Sequence, residues 1–132
     1  MEIVFSSFFC YDVMISMNPY AFMSAAYHTH RARALRFIRD KVRLWNTQYQ
    51  FSYSRVTVRN QSTRWGSCSS QGTLSFHYRL LFLPEHLTDY VIVHELCHLR
   101  HMNHSLRFWR EVARTIPDYR RRRHELRRYQ CG

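Results

Sequence analysis

The stretch VIVHELCHLRHMNHS, Val91 to Ser105, constrains this chain more than any other part of it. Four histidines fall within eleven residues, and two of them flank a Glu-Leu-Cys triplet. A helix turns about 100° per residue, so with His94 as origin, His98 lies near 40° and about 6 Å along the axis. Both imidazoles then reach one ion at roughly 2.1 Å. Glu95 falls near 100°, beside the pair, while Ile92, Val93, Leu96 and Leu99 cluster between about 140° and 260°. Such an apolar arc has to pack into a core. The segment predicts a helix with an apolar back and a histidine-glutamate front. H-E-x-x-H chemistry needs this arrangement: two neutral imidazoles hold a metal, and an adjacent carboxylate takes a proton from metal-bound water.

A third ligand is needed, and His101 and His104 are the candidates. His101 shares the face, near −20°, but sits about 10.5 Å along the axis from His94. Three ligands in a line along one helix make a poor tetrahedral corner. His104 lies beyond the expected helix end at Asn103, so the chain can turn it back toward the ion, and it is preferred on the tetrahedral habit of zinc. A chance H-E-x-x-H in a chain of this composition has a probability of roughly 0.02, so the motif is read as chemistry and not as a histidine-rich basic surface.

The rest of the chain supplies a frame for that helix. Residues 28–49 place Ala34, Leu35, Ile38, Val42 and Leu44-Trp45 at helical spacing, with arginines on the outer face. Tyr53 to Arg59 alternates and is β-branched, as strands are. Thr63–Ser69 and Thr73–Tyr78 flank Ser-Gln-Gly, a turn signal, and the three segments suggest a small antiparallel sheet. Pro84 suits the first position of the His-Glu helix, Asn103 a left-handed end to it, Ser105 the cap of a following helix, and Asp118 the cap of a last one.

At 132 residues with 45% hydrophobic and 16% aromatic residues, the chain has the material for one globular domain. Its net charge of +11 comes from 19 arginines and one lysine against nine acids, which favours acidic partners, nucleic acid included. The run Arg120–Arg123 is the only charge block; a solvated helix end is preferred for it over a nucleic-acid grip. Cys10, Cys68, Cys97 and Cys131 form no C-x-x-C pair, so free thiols in a cytoplasmic compartment are expected. Cys97, inside HELCH, reads as a packed residue beside the site. Residues 1–27 contain no basic residue and are set apart as an extension of no assigned fold, with Met17 and Met23 as alternative starts; residues 28–130 are taken as the domain. No apolar stretch approaches the roughly 18–20 residues of a membrane span, so no membrane partner is expected.

RVTVRNQSTRWGSCSSQGTLSFHYRLLFLP followed by YVIVHELCHLRHMNHSLRFW resembles the YgjP-like metallopeptidase domain, a small zincin group distantly similar to SprT-like proteases. The likeness runs from the basic helix near His28 to Tyr119 and rests on RWGSCS, HELCHL and NHS-x-x-FW in that order. It implies an α+β minimal zincin fold: an N-terminal helix, a small sheet, the H-E-x-x-H helix and C-terminal helices. It also implies one zinc ion on His94, His98 and His104, with Glu95 as catalytic base. His77 stands where relatives often carry asparagine.

The function expected is that of a zinc metallopeptidase acting on a peptide or protein. Two alternatives stand beside it: a nucleic-acid-associated protease acting on DNA-bound proteins, and a non-catalytic binding module with a structural metal. Arg64 to Ser69 is expected to line or support the cleft. His101, His77, Arg64 and Tyr119 are all candidates for stabilising the oxyanion. Phe108 and Trp109 are read as core anchors rather than substrate contacts.

Overall fold

The computed structural model of the chain describes residues 19–129. Its elements are α1 (Pro19–Tyr49), β1 (Arg55–Arg59), β2 (Gly66–Cys68), β3 (Thr73–His77), a 3-10 turn (Tyr78–Phe82), α2 (Glu85–His98), α3 (Leu106–Thr115) and α4 (Tyr119–Leu126). The α+β class read from the sequence holds. Two compact units divide the chain, residues 1–30 and 31–132. In the first, the opening turns of α1 are described: Tyr20 and Phe22 are exposed, and the Thr29 hydroxyl donates to the Ala25 carbonyl at 2.9 Å. The helix starts at Pro19 and passes through the boundary drawn after residue 27 without a break. A proline suits that start because a first-turn N–H has no helical partner to lose. The expectations for residues 1–18 lie outside the described residues.

In the second unit, Ala34, Ile38 and Val42 recur every four residues along α1 and are fully buried. Leu44, grouped with them in the sequence, points outward, while the Trp45 Nε1–H reaches Asp89 at 3.0 Å. Lys41 sits between Glu85 and Asp89 and ties α1 to the start of α2.

The sheet is mixed, which corrects the antiparallel expectation. Its order is β1-β3-β2, with β2 antiparallel and β1 parallel to the central β3. The hairpin between β2 and β3 is fixed by a tight turn. There the Ser69 N–H donates to the Thr73 carbonyl at 2.9 Å and the Gly72 N–H to the Ser69 carbonyl at 3.0 Å. Gly72 has φ +82, a conformation that favours glycine. No such turn joins β1 to β3. Residues 60–65 carry the chain past β3 to its far edge, so β1 and β3 run the same way. Alternation shows which face of β1 is buried, Val56 and Val58, but is silent on the direction of its neighbour.

Both faces of β3 are covered. Leu74 and Phe76 pack on one side; Ser75 and His77, on the other, are buried as well. Ser75 pairs its hydroxyl with Thr57 at 2.8 Å. His77 stacks on Tyr78, and its Nδ1 accepts the Arg79 N–H at 3.1 Å, capping the 3-10 turn.

Pro84 is the extended residue before α2 rather than its first member, and its carbonyl receives the Leu87 and Thr88 N–H groups. The helix stops at His98, four residues short of Met102. Its last turn tightens: the Leu99 N–H reaches Leu96 at 3.0 Å and the Arg100 N–H reaches Cys97 at 3.2 Å. Asn103 is not left-handed; among described non-glycine residues only Gln50 has positive φ. Ser105 caps α3 as expected, its Oγ accepting the Phe108 N–H at 3.3 Å. Asp118 precedes α4 without capping it, because its carboxylate is taken by Arg121 at 2.8 Å and Arg122 at 3.1 Å. Among the described residues no helix is long and apolar enough to cross a membrane.

Candidate active site

The site is built on α2, the most buried helix of the second unit. Leu87, Ile92, Val93, Leu96 and Cys97 are fully enclosed, as the apolar back requires. The front is partly buried too: Glu95 is 6% exposed and His98 8%, His94 is half-buried, and His104 is exposed, so the cluster opens to solvent on the His104 side. A cleft of about 730 Å³ is lined on the α2 side by Tyr90, Val91, His94 and Glu95. Arg64, Trp65 and Gly66 form one wall, and Arg123, Leu126 and Arg127 form the other.

His94, His98 and His104 bring their Nε2 atoms together at 3.1, 3.1 and 3.2 Å. Three converging lone-pair nitrogens cannot all be satisfied by one another's protons. At zinc–nitrogen distances of about 2.1 Å, a tetrahedral site has ligand–ligand edges of roughly 3.4 Å, so this triangle fits one face of such a site. Among the described residues these three are the group of possible metal ligands that converges.

Each ring is held by contacts within the protein. The His98 Nδ1–H donates to the His101 carbonyl at 2.9 Å, which leaves Nε2 as a lone pair. His94 Nδ1 is 3.4 Å from the Tyr90 hydroxyl, one helical turn earlier. Phe108, fully buried, stacks on His98 at 4.4 Å and meets His94 and His104 edge-on at 5.0 and 5.1 Å. Trp109 stacks on His104 at 5.7 Å and is backed by Tyr119 at 5.0 Å. The two aromatics are anchors, as read, but what they anchor is the imidazole cluster. Phe108→Ala is expected to cost about 3–5 kcal/mol of stability and to loosen all three rings. Urea unfolding measures the first effect, and a change in unfolding free energy below about 1 kcal/mol would contradict it.

Burial, then the charges of His98 and His104, push His94 down to about 3, so its ring is neutral at pH 7. Burial lowers His98 as well. Neutral imidazoles are the form that binds metal. The Glu95 carboxylate lies 3.8 Å from His94 Nε2. Burial raises it to about 8 against the opposing charge of Arg64, and a cation held by the histidines would act in the same direction as Arg64.

Gly66, at the start of the edge strand β2, explains how Glu95 fits. A Cβ there would lie 2.9 Å from Glu95 Cγ and 3.3 Å from Phe76 Cδ1. Gly66 stands opposite Phe76 in regular register, so the glycine marks a close approach and not a bulge. The cleft takes Arg64, Trp65 and Gly66 from the expected Arg64–Ser69 segment, while the Cys68 thiol is pushed up to about 11 by burial and by the charge of Glu95.

Of the four oxyanion candidates, only Arg64 lines the cleft. His77 is buried among Trp65 and Tyr78, Tyr119 backs Trp109, and His101 contributes its carbonyl. Tyr90 and Arg123 line the cleft without having been singled out for it. Tyr90 stands four residues before His94 and so shares its helical face, a signal present in the sequence. The Arg120–Arg123 run is not a uniform patch. Arg121 and Arg122 pair with Asp118, Arg120 lies over Tyr119, and Arg123 lies 5.2 Å over Trp109.

Residues 15–129 match the YgjP-like metallopeptidase domain, and the chain belongs to that family of metal-dependent peptidases. No curated protein sequence matches it. The fold is similar to that of the metallopeptidase zymogen abylysin of Pyrococcus abyssi, with TM-score 0.62 and 24% identity over 67% of this chain and 90% of that one. It is also similar to the metallopeptidase zymogen jannalysin of Methanocaldococcus jannaschii, with TM-score 0.58 and 23% identity over 68% and 91%.

Proposed function

We propose that this chain is a zinc-dependent peptidase whose ligands are His94, His98 and His104 and whose general base is Glu95. The observation that carries the reading is the meeting of three Nε2 atoms within 3.2 Å of each other, with a buried carboxylate 3.8 Å from one of them lining an open cleft. Zinc is the preferred ion for three neutral imidazoles, and when bound it supplies Lewis-acid polarisation of a carbonyl and a lowered water pKa. Glu95 accepts a proton from the attacking water and returns it to the leaving amine. Arg64, whose charge acts on Glu95, holds that carboxyl toward its ionised form. Tyr90, which lines the cleft with its hydroxyl 3.4 Å from His94 Nδ1, orients that ring. A purely structural metal site needs no base beside an open cleft, which favours turnover over a binding module. Cys68 and Cys97 are free thiols, in keeping with a cytoplasmic setting.

The test is hydrolysis of a mixed peptide library by the full chain. Cleavage that a chelator abolishes and stoichiometric zinc restores is expected; cleavage indifferent to the chelator would end the reading. Gly66→Ala probes the fit of the base. Its methyl group crowds Glu95, and a displacement near 1 Å is expected to lower kcat by about 10²-fold with zinc content unchanged. Wild-type kcat in that variant would show that Glu95 does not depend on the glycine.

A further inference from the structure

The cleft lining carries an excess of positive charge, of which the hydrolytic chemistry uses only Arg64. Arg64 stands on the strand side, and Arg123 and Arg127 on the helix side. Glu95 is the sole carboxylate among the lining residues, and it belongs to α2. Arg123 and Arg127 are four residues apart and continue one helical face, because Arg127 keeps helical dihedrals at the end of α4. Like charges at that spacing repel.

Four arginines outside the cleft have carboxylate partners: Arg121 and Arg122 pair with Asp118, and Arg100 and Arg114 with Glu111. Among the described residues no carboxylate forms an ion pair with Arg64, Arg123 or Arg127. Arg123 is positioned rather than loose, since its guanidinium lies 5.2 Å over the Trp109 ring, which itself stacks on His104 at 5.7 Å. Trp65, Leu126 and Tyr129 line the same cleft and offer it apolar surface. A short carbon stem ending in a carboxylate matches that combination, with the stem on the apolar patch and the anion between the arginines.

We propose that Arg123 and Arg127, which line the cleft together with Arg64, are specificity-determining residues that select peptides presenting a carboxylate next to the bond at the metal centre. The proposal rests on the peptidase reading and names its substrate class. The carboxylate comes from an aspartate or glutamate side chain or from the peptide's own C-terminus.

The experiment reads binding, so it does not depend on turnover. Full-length, zinc-loaded Glu95→Gln protein is titrated with fluorescent peptides that differ by Glu, Gln or Lys at successive positions, each made with a free and an amidated C-terminus. Affinity for the best-placed Glu peptide is expected to exceed that of its Gln counterpart by about tenfold, with Lys weaker still. A preference that follows the side chain identifies an acidic residue; one that follows the free terminus identifies terminal recognition.

In the Glu95→Gln background, Arg123→Gln/Arg127→Gln should bring Glu and Gln peptides within about twofold of each other. Arg127→Gln alone leaves the Trp109 contact in place and should remove part of the preference. Arg39→Gln/Arg43→Gln, which removes the same charge from α1, should leave the preference unchanged. Equal affinity for the three peptides, a preference that survives the double variant, or an equal loss in the α1 control would each overturn the proposal. If wild-type protein hydrolyses nothing, the catalytic reading fails, and these binding ratios still decide this one.

Discussion

Glu95→Gln is expected to fold, keep its zinc and lose peptide hydrolysis by about 10²- to 10⁴-fold, the range that a positioned general base contributes. The amide has nearly the volume of the carboxyl it replaces, so the tight space between α2 and Gly66, where a Cβ would stand only 2.9 Å from Glu95 Cγ, stays filled without a clash. What changes is proton affinity. A buried carboxylate can take a proton from water and hand it on, and an amide cannot. The imidazoles should be undisturbed because they are held by other groups: His98 by the His101 carbonyl and all three rings by Phe108. Zinc content by elemental analysis and the thermal midpoint should therefore match wild type while kcat collapses. Full hydrolysis by the variant would remove Glu95 from the mechanism. Loss of zinc along with activity would instead make the carboxylate part of the metal site.

The parts of the site that were legible in the sequence are those set by one helix. His94, Glu95 and His98 have their relative directions fixed by the helical repeat, so spacing alone placed them. Tyr90 obeys the same repeat yet was passed over, because an aromatic one turn before a candidate ligand looks no different from a core residue. His104 was reached by a demand of the metal and not of the chain, and the tightened end of α2 is what lets the loop return. Contacts between distant segments left no local trace. Gly66 and Glu95 are 29 positions apart, and nothing in RWGSCS announces that its glycine makes room for a side chain of another element. The direction of β1 was hidden for a related reason, since an alternating pattern is identical in parallel and antiparallel partners. The arginine run shows the opposite failure. Four identical neighbours read as one patch, but a helix sends them to different faces, and only Arg123 lines the cleft.

His104→Ala and His101→Ala should part company sharply, and the pair tests the third ligand more directly than either alone. His104 Nε2 stands 3.1 Å from His98 Nε2 and 3.2 Å from His94 Nε2, so its loss leaves two nitrogens for an ion that takes three from the protein in catalytic sites. Loss of an orienting partner outside the ligand set typically weakens a metal site by about 10–100-fold, and loss of a ligand should exceed that. His101 serves the site through its backbone carbonyl, which accepts from His98 at 2.9 Å and survives the alanine substitution. His101→Ala should keep zinc affinity within about tenfold of wild type and stay active. Linkage gives a second readout. At a zinc concentration a thousand times Kd, binding stabilises the fold by about 4.1 kcal/mol. For a chain of this size that corresponds to a thermal midpoint shift on the order of 10 °C. The shift should be present in wild type and His101→Ala and absent from His104→Ala at the same zinc concentration. If the two variants exchange behaviour, the loop presents the other histidine to the ion and the triangle of Nε2 atoms is not the metal site.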